Sequence, residues 1–153
     1  METFEIVVME HPCFKGLDPK YFKTLLSLAT PAKFEPDQII AKEGDPANEF
    51  YLIREGRVGL EINVPNRGRV TIETVGAGEL LGWSWMVPPY KCHFTARSHG
   101  STLAIGINGR RLRESIHTDH ELGYQLYGCF IDLIVHRLTA TRLQLLDFYS
   151  VQA

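Results

Sequence analysis

No apolar run in this sequence approaches the roughly 18 residues of a membrane-spanning helix. The opening stretch METFEIVVME carries acids where a secretory leader would carry basic residues, so neither a span nor a signal peptide is expected. Charge of one sign is equally scarce. The formal net charge is -2 over 153 residues, which gives no broad attraction for nucleic acid or anionic membrane. Cysteine is sparse too: Cys13, Cys92 and Cys129 are widely separated and odd in number. That arrangement argues against a disulfide framework and makes a reducing cytoplasm the expected compartment. Catalytic signatures are missing as well. There is no G-x-S-x-G nucleophile elbow, and the glycines of VGAGELLG lack the spacing and βαβ setting of a dinucleotide loop. His117 and His120, at a helix junction, have no thiolate or carboxylate ligands arranged about them. Cys92 and His93, adjacent in a strand, would point to opposite sides and form no nucleophilic pair. No enzyme chemistry and no metal site are expected.

What is present reads as one globular domain. Hydrophobic residues make up 44% and charged residues 22%, an ordinary balance for a chain long enough to bury a core. The segment GLDPKYFKTLLSLA predicts a short helix with Asp18 as cap, Pro19 at the first helical position, and Tyr21, Leu25 and Leu28 on one face. Pro31 and Pro36 then break that pattern. From Gln38 the period becomes that of strands, with turn signals at Gly44, Gly56 and Gly68, evenly spaced as in a barrel or roll. RVTIETV alternates, Val70, Ile72 and Val75 against Thr71 and Glu73. HFTARSHGSTLAIGI carries the sheet to Ile107.

Helical character returns after Asn108. NGRRLRESI predicts a short helix with its arginines outward, and Thr118-Asp119-His120-Glu121 predicts a capping box ahead of a long helix. That helix, Leu122 to about Leu146, would span ~37 Å at 1.5 Å per residue and overrun so small a body. One apolar seam runs Leu122, Leu126, Cys129, Leu133, His136, Ala140, Leu143. A second face carries Tyr127, Phe130, Ile134, Leu138, Thr141 and Leu145. Two apolar faces need two surfaces. The expectation is a homodimer through Leu122, Leu126, Cys129, Leu133 and Ala140, with His136 packing against the partner. The alternative is that the second face folds back on the same chain.

This order of elements, together with IIAKEGDPANEFYLIREGRVGL, resembles the cyclic-nucleotide-binding domain of the catabolite-activator (Crp/Fnr-like) superfamily. The signature positions are Glu43, Gly44, Asp45, Ala47, Tyr51, Ile53, Gly56 and Val58, which are structural in that family. The likeness covers residues 14 to 147. It implies a mainly β fold with flanking helices: an antiparallel β-roll (double-stranded β-helix or jelly roll) with an N-terminal helix and a long C-terminal helix. The expected layout is a single domain over 1–147, with the roll at 33–107, the C-terminal helices at 109–147 and a tail at 148–153.

The resemblance also implies a phosphate-binding cassette. Gly78-Glu79-Leu80 matches the family's opening Gly-Glu-Leu, in which the glutamate receives the ribose 2′-hydroxyl. A short helix over Leu80–Met86, including Ser84, would offer amides to the cyclic phosphate. The arginine that neutralises the phosphate in the family falls here near Cys92, flanked by Lys91 and His93, neither of which has a guanidinium fork. Arg97-Ser98 lies too far along the next strand to replace it. The expected ligand set is therefore Gly78, Glu79, Leu80, Ser84, Lys91, Cys92 and His93. The ligand is none, cyclic AMP or cyclic GMP, or another small anion. Three states of the pocket stay open: filled by Trp83, Trp85 and the Pro-Pro pair, reshaped for another ligand, or typical of the family. The expected role is a non-catalytic regulatory sensor acting as a homodimer or through a protein partner. A degenerate, purely dimeric interaction module is the alternative. A cupin-like metal or sugar binder is a rival, supported only by His93 and His99 among the strands. Family regulators carry a helix-turn-helix beyond the long helix. Residues up to Ala153 show none, and Arg110, Arg111 and Arg113 are too short a cluster to hold a duplex, so specific DNA binding is not expected.

Overall fold

The computed structural model describes residues 3–152. Two four-stranded antiparallel sheets face one another. One has the order β1 (Ala29–Phe34), β8 (Thr102–Asn108), β3 (Glu49–Glu55), β6 (Leu80–Leu81); the other runs β2 (Ile39–Ala41), β7 (Thr95–Ser98), β4 (Val58–Val64), β5 (Gly68–Val75). This is the expected roll, and it starts a few residues early. The helical pattern ends at Ser27, ahead of Pro31, and Pro31 sits inside β1, which is tolerable because β1 is an edge strand paired only with β8. The even glycines fall at turns that need a left-handed backbone: φ is +87° at Gly44, +96° at Gly56 and +75° at Gly68. At Gly56 a Cβ would also stand 2.6 Å from the Ser101 carbonyl oxygen. In β5 the alternation slips because the pairing shifts from Leu60↔Glu73 to Glu61↔Thr71. That extra residue, Ile72, leaves Val75 fully buried and Ile72 exposed.

The strand period divides the interior in two. Ile53, Val58, Leu60, Leu81, Ala96 and Ala104 pack between the sheets. Phe50, Leu52, Ile105 and Ile107, on the opposite face of the first sheet, pack under the helices. The helical layer contains α1 (Thr3–Glu10), α2 (Pro12–Lys15), α3 (Phe22–Ser27), α4 (Gly109–Thr118) and α5 (His120–Gln152). The predicted first helix is a 3-10 turn, Pro19–Tyr21, running into α3, with Asp18 capping through Lys20 N. The two helices preceding it, α1 and α2, were not expected from the sequence. Asn108 caps α4 by accepting from Arg111 N at 3.0 Å. Asp119 alone caps α5, accepting from Leu122 N at 3.2 Å. Thr118 closes α4, and Glu121 pairs with Lys20 at 3.2 Å instead of completing a box.

Helix α5 is longer than predicted, 33 residues or about 50 Å, and it corrects the expected dimer seam. Leu122 and Leu126 are buried in the chain's own core, at 3% and 0% exposure. Cys129 and Leu133 pack against that core, and of the seam only His136, Ala140 and Leu143 are exposed. Phe130, from the second face, is also buried against Phe50 and Trp85. The outward stripe matches neither face: Tyr124, Ile131, Val135 and Tyr149 are exposed together with Leu138 and Leu145 of the second face. The disulfide expectation is overturned as well. Cys13 in α2 is bonded to Cys129 in α5, with Cα atoms 5.4 Å apart; a separation of 116 residues in sequence hid a neighbourhood that only folding creates.

Candidate ligand compartment

The segment from Gly82 to Phe94 leaves β6 and crosses the mouth of the roll before entering β7. Its far end is fixed to the Gly44 turn. Gly44 N donates to Cys92 O at 2.9 Å, Cys92 N to Asp45 O at 2.8 Å, and Ala47 N to Tyr90 O at 2.8 Å. Its near end is held by α4: Arg113 donates to the Trp85 carbonyl at 2.6 Å and lies 4.0 Å from the Tyr90 ring centroid. Arg113 therefore faces inward, against the expectation for that helix. Trp85 stacks on Phe50 at 4.9 Å, which places it in the helical core. Gly109 makes room, since a Cβ there would come within 3.0 Å of the indole.

Behind this segment lies a cavity of about 50 Å³ lined by Tyr51, Leu60, Trp83, Ser84, Cys92, His93 and Phe94 among others. Trp83 meets Phe94 edge-on at 5.6 Å. The structure brings three of the expected ligand residues together here. Ser84 Oγ and His93 Nδ1 share a hydrogen bond of 2.7 Å, and Cys92 lies beside them with its thiol pKa raised, first by burial and then by the Asp45 carboxylate. The adjacent Cys92 and His93 do not diverge as they would in a strand, because they lie in an irregular run ahead of β7. Tyr51 donates to Glu49 Oε2 at 2.7 Å; burial foremost, then that bond, raises its pKa. Glu49 and Tyr51 were not anticipated as lining residues, although Tyr51 was recognised as a signature position.

The remaining expected residues lie elsewhere. Glu79 is exposed and folds back to accept from Gly76 N at 3.0 Å. Gly78, with φ +84°, belongs to the same turn, and its carbonyl accepts from His11 Nε2 at 2.9 Å. Leu80 and Leu81 are a strand and not the start of a helix; only Ser84–Met86 forms a 3-10 turn. Lys91 is exposed and bridges to Pro46. The glycine that opens the cavity wall is Gly82, at φ +98°, and the residue after it is Trp83. Gly82 and Trp83 line the cavity, whereas Gly78 and Glu79, to which the resemblance assigns the ribose contact, do not. Arg97 is no substitute for the missing arginine, since it pairs with the buried Glu61 at 3.2 Å.

Helix α5 touches this wall. Arg137, itself buried, donates to the Leu80 carbonyl at 2.6 Å, pairs with Glu73 at 3.3 Å and lies 5.6 Å from the Trp83 ring centroid.

The comparisons agree with this architecture. The family model for the cyclic nucleotide-binding domain matches residues 31–119, more than half the chain, and the chain belongs to that family. A putative cyclic nucleotide-binding protein from Geobacter metallireducens superposes with a TM-score of 0.79 at 25% identity, covering 90% of this chain and 98% of its own. Cyclic nucleotide-gated ion channel 2 of Arabidopsis thaliana is 27% identical over 106 residues, 62% of this chain and 14% of the channel. The CRP-like cAMP-activated global transcriptional regulator of Mycobacterium tuberculosis is 22% identical over 134 residues, 88% of this chain and 58% of that protein. This chain thus spans less than two thirds of those curated relatives. Among the described residues no helix is long and apolar enough to cross a membrane. The family assignment displaces the cupin alternative.

Proposed function

We propose that this chain is a non-catalytic regulatory module, working in the cytoplasm, whose ligand compartment excludes cyclic AMP and cyclic GMP. The size of the cavity carries the reading: about 50 Å³, where pockets for organic ligands run to roughly 300–1,000 Å³. Its charge points the same way. Among the described residues no lysine or arginine lines it, while the Glu49 carboxylate does. A phosphate would enter a low-dielectric space with no cation and one anion, and the desolvation cost would go uncompensated. Glu79, the carboxylate that the resemblance assigns to ribose, accepts from Gly76 N outside the cavity, and the bulky Trp83 lines it instead. Calorimetric titration with both nucleotides tests this, with Trp83 and Trp85 fluorescence as a second readout. Silence in both is expected, and micromolar binding of either would overturn the reading.

The output is a homodimer formed along α5. Tyr124, Gly128, Ile131, Val135, Leu138, Arg142, Leu145 and Tyr149 follow alternating steps of four and three residues along the helix. This is the spacing of a coiled-coil seam, and a second copy of the same helix supplies a matching stripe.

A second reading is favoured by one observation. The indole Nε1 of Trp85, a residue lining the cavity, is buried without a hydrogen-bond partner among the described residues. With the Ser84–His93 pair beside it, the compartment suits a very small uncharged molecule carrying a hydrogen-bond acceptor. Native mass spectrometry of the purified protein separates an occupied compartment from an empty one.

A further inference from the structure

The Cys13–Cys129 pair lies where three parts of the molecule meet. On one side, His11 caps α2: its Nδ1 accepts from Cys13 N at 3.0 Å, so its Nε2 carries the proton donated to the Gly78 carbonyl at 2.9 Å. That bond ties α2 to the turn leading into β6. On the other side, the disulfide ties α2 to α5. Eight residues further along, about 12 Å of helix, Arg137 returns from α5 to the Leu80 carbonyl in β6. The circuit α2, β6, α5 has one covalent link, and that link is reducible. It is also accessible. A surface cleft of about 420 Å³ is lined by His11, Cys13, Leu80, Cys129, Asp132 and His136, which is room for a small thiol to reach the sulfurs. Cys13 is buried and Cys129 only half-buried, so the two sulfurs are not equivalent to a reagent entering from solvent.

We propose that Cys13 and Cys129 form a reversible thiol–disulfide site that exchanges with low-molecular-weight thiols and disulfides and sets how firmly α5 is held against the compartment wall. The inference holds whether or not the compartment binds a nucleotide. In the oxidising direction, the Cys129 thiolate attacks one sulfur of a small disulfide and expels a thiolate, leaving a mixed disulfide. The Cys13 thiolate then attacks the Cys129 sulfur and expels the second thiolate. The two released thiolates take up the two protons that the cysteines lost, so the small disulfide is reduced as the protein pair is oxidised. Reduction reverses both steps, with attack at the more accessible Cys129 sulfur. Cys92 does not compete, because burial and the Asp45 carboxylate raise its pKa and leave little thiolate at neutral pH. A disulfide that a cytosolic protein forms is commonly a sensing one of this kind.

The test equilibrates the full chain with glutathione buffers of varied reduced-to-oxidised ratio, traps free thiols by alkylation and reads intact mass. The oxidised fraction should pass through one half within that range. In a Cys92→Ser background, Cys13→Ser should accumulate one glutathione on Cys129. Cys129→Ser should take up glutathione on the order of ten-fold more slowly at the buried Cys13. Hydrogen exchange on wild type, which needs no variant to fold, should be faster by about ten-fold on reduction in α2, the turn before β6 and the first half of α5. A pair that stays oxidised at every ratio is a static structural bond and overturns the proposal. So does a pair that stays reduced, or an exchange pattern that reduction leaves unchanged.

Discussion

Arg137 Nη2 and the Leu80 carbonyl oxygen stand 2.6 Å apart, joining the long helix to the strand that opens the compartment. The same guanidinium reaches Glu73 at 3.3 Å and lies beside Trp83. Most of the stabilisation comes from the bond to Leu80. Glu73 is 28% exposed, and water screens its attraction. Arg137→Ala should cost about 2–3 kcal/mol, the range for a buried hydrogen bond from a charged donor together with an orphaned carbonyl. Arg137→Lys should recover little of it, because an ammonium cannot serve carbonyl and carboxylate from one planar fork. Urea denaturation followed by tryptophan emission checks both variants.

The exposed stripe and the buried seam of α5 make opposite predictions. Ile131→Glu with Leu138→Glu should leave the fold intact and give 17.4 kDa particles in sedimentation, against twice that mass for wild type. Leu126→Glu should instead unfold the chain, since Leu126 is fully buried and loss of its packing costs about 2–5 kcal/mol before an unpaired carboxylate is added. A wild type that sediments at 17.4 kDa would remove α5 as a homodimer interface.

The roll was legible because its glycines are steric necessities. Gly44, Gly56 and Gly68 announce three turns in sequence, and the runs between them are β-rich. The long helix was legible from its proline-free run, but not the orientation of its faces. Leu122 and Ile131 are equally apolar in sequence, and only the position of α1, α2 and the roll decides that one is buried and the other exposed. The same limit hid the disulfide, since nothing local marks Cys13 as a neighbour of Cys129. In the cassette, the local Gly-Glu pattern did not reveal which residues line the cavity. Glu79 serves its own turn through Gly76 N, while Trp83, which the sequence offered as one of the residues filling the pocket, lines the cavity. The absence of an arginine near Cys92, by contrast, was visible in sequence, and the structure places Cys92 and His93 on the cavity wall.

His11 gives the fold a pH dependence of fixed sign. Burial, partly offset by the bond to Gly78, lowers its pKa from the usual 6.5. The unfolded chain therefore binds more protons than the folded one between the depressed value and 6.5. Stability from this group is fully present above pH ~6.5 and is lost as pH falls through the folded pKa. Asp132 and His136 line the same cleft, so the control must isolate His11. His11→Asn keeps an oxygen able to cap Cys13 N and removes the titrating ring. Its stability should fall less steeply than that of wild type between about pH 7 and 5, measured by urea midpoints under oxidising conditions that keep Cys13–Cys129 intact.

The closed compartment should be convertible into an open one. Cys92→Arg supplies a guanidinium near the place where the resemblance assigns phosphate, but leaves too little room for a nucleotide beside Trp83. Trp83→Glu removes the indole that meets Phe94 and supplies a carboxylate for the ribose hydroxyl. Each charge-assisted hydrogen bond contributes roughly 1.5–3 kcal/mol. In the empty pocket the introduced guanidinium and carboxylate would pair with each other, so only part of the two contributions reaches the ligand. The double variant should therefore bind cyclic AMP about one to two powers of ten more tightly than Cys92→Arg alone. Calorimetry on the two variants and wild type checks this, with circular dichroism to confirm that the roll persists. A folded double variant as silent as wild type would show that the backbone from Gly82 to Phe94, tied down at Gly44 and Arg113, closes the compartment. Side chains alone would then not account for the exclusion.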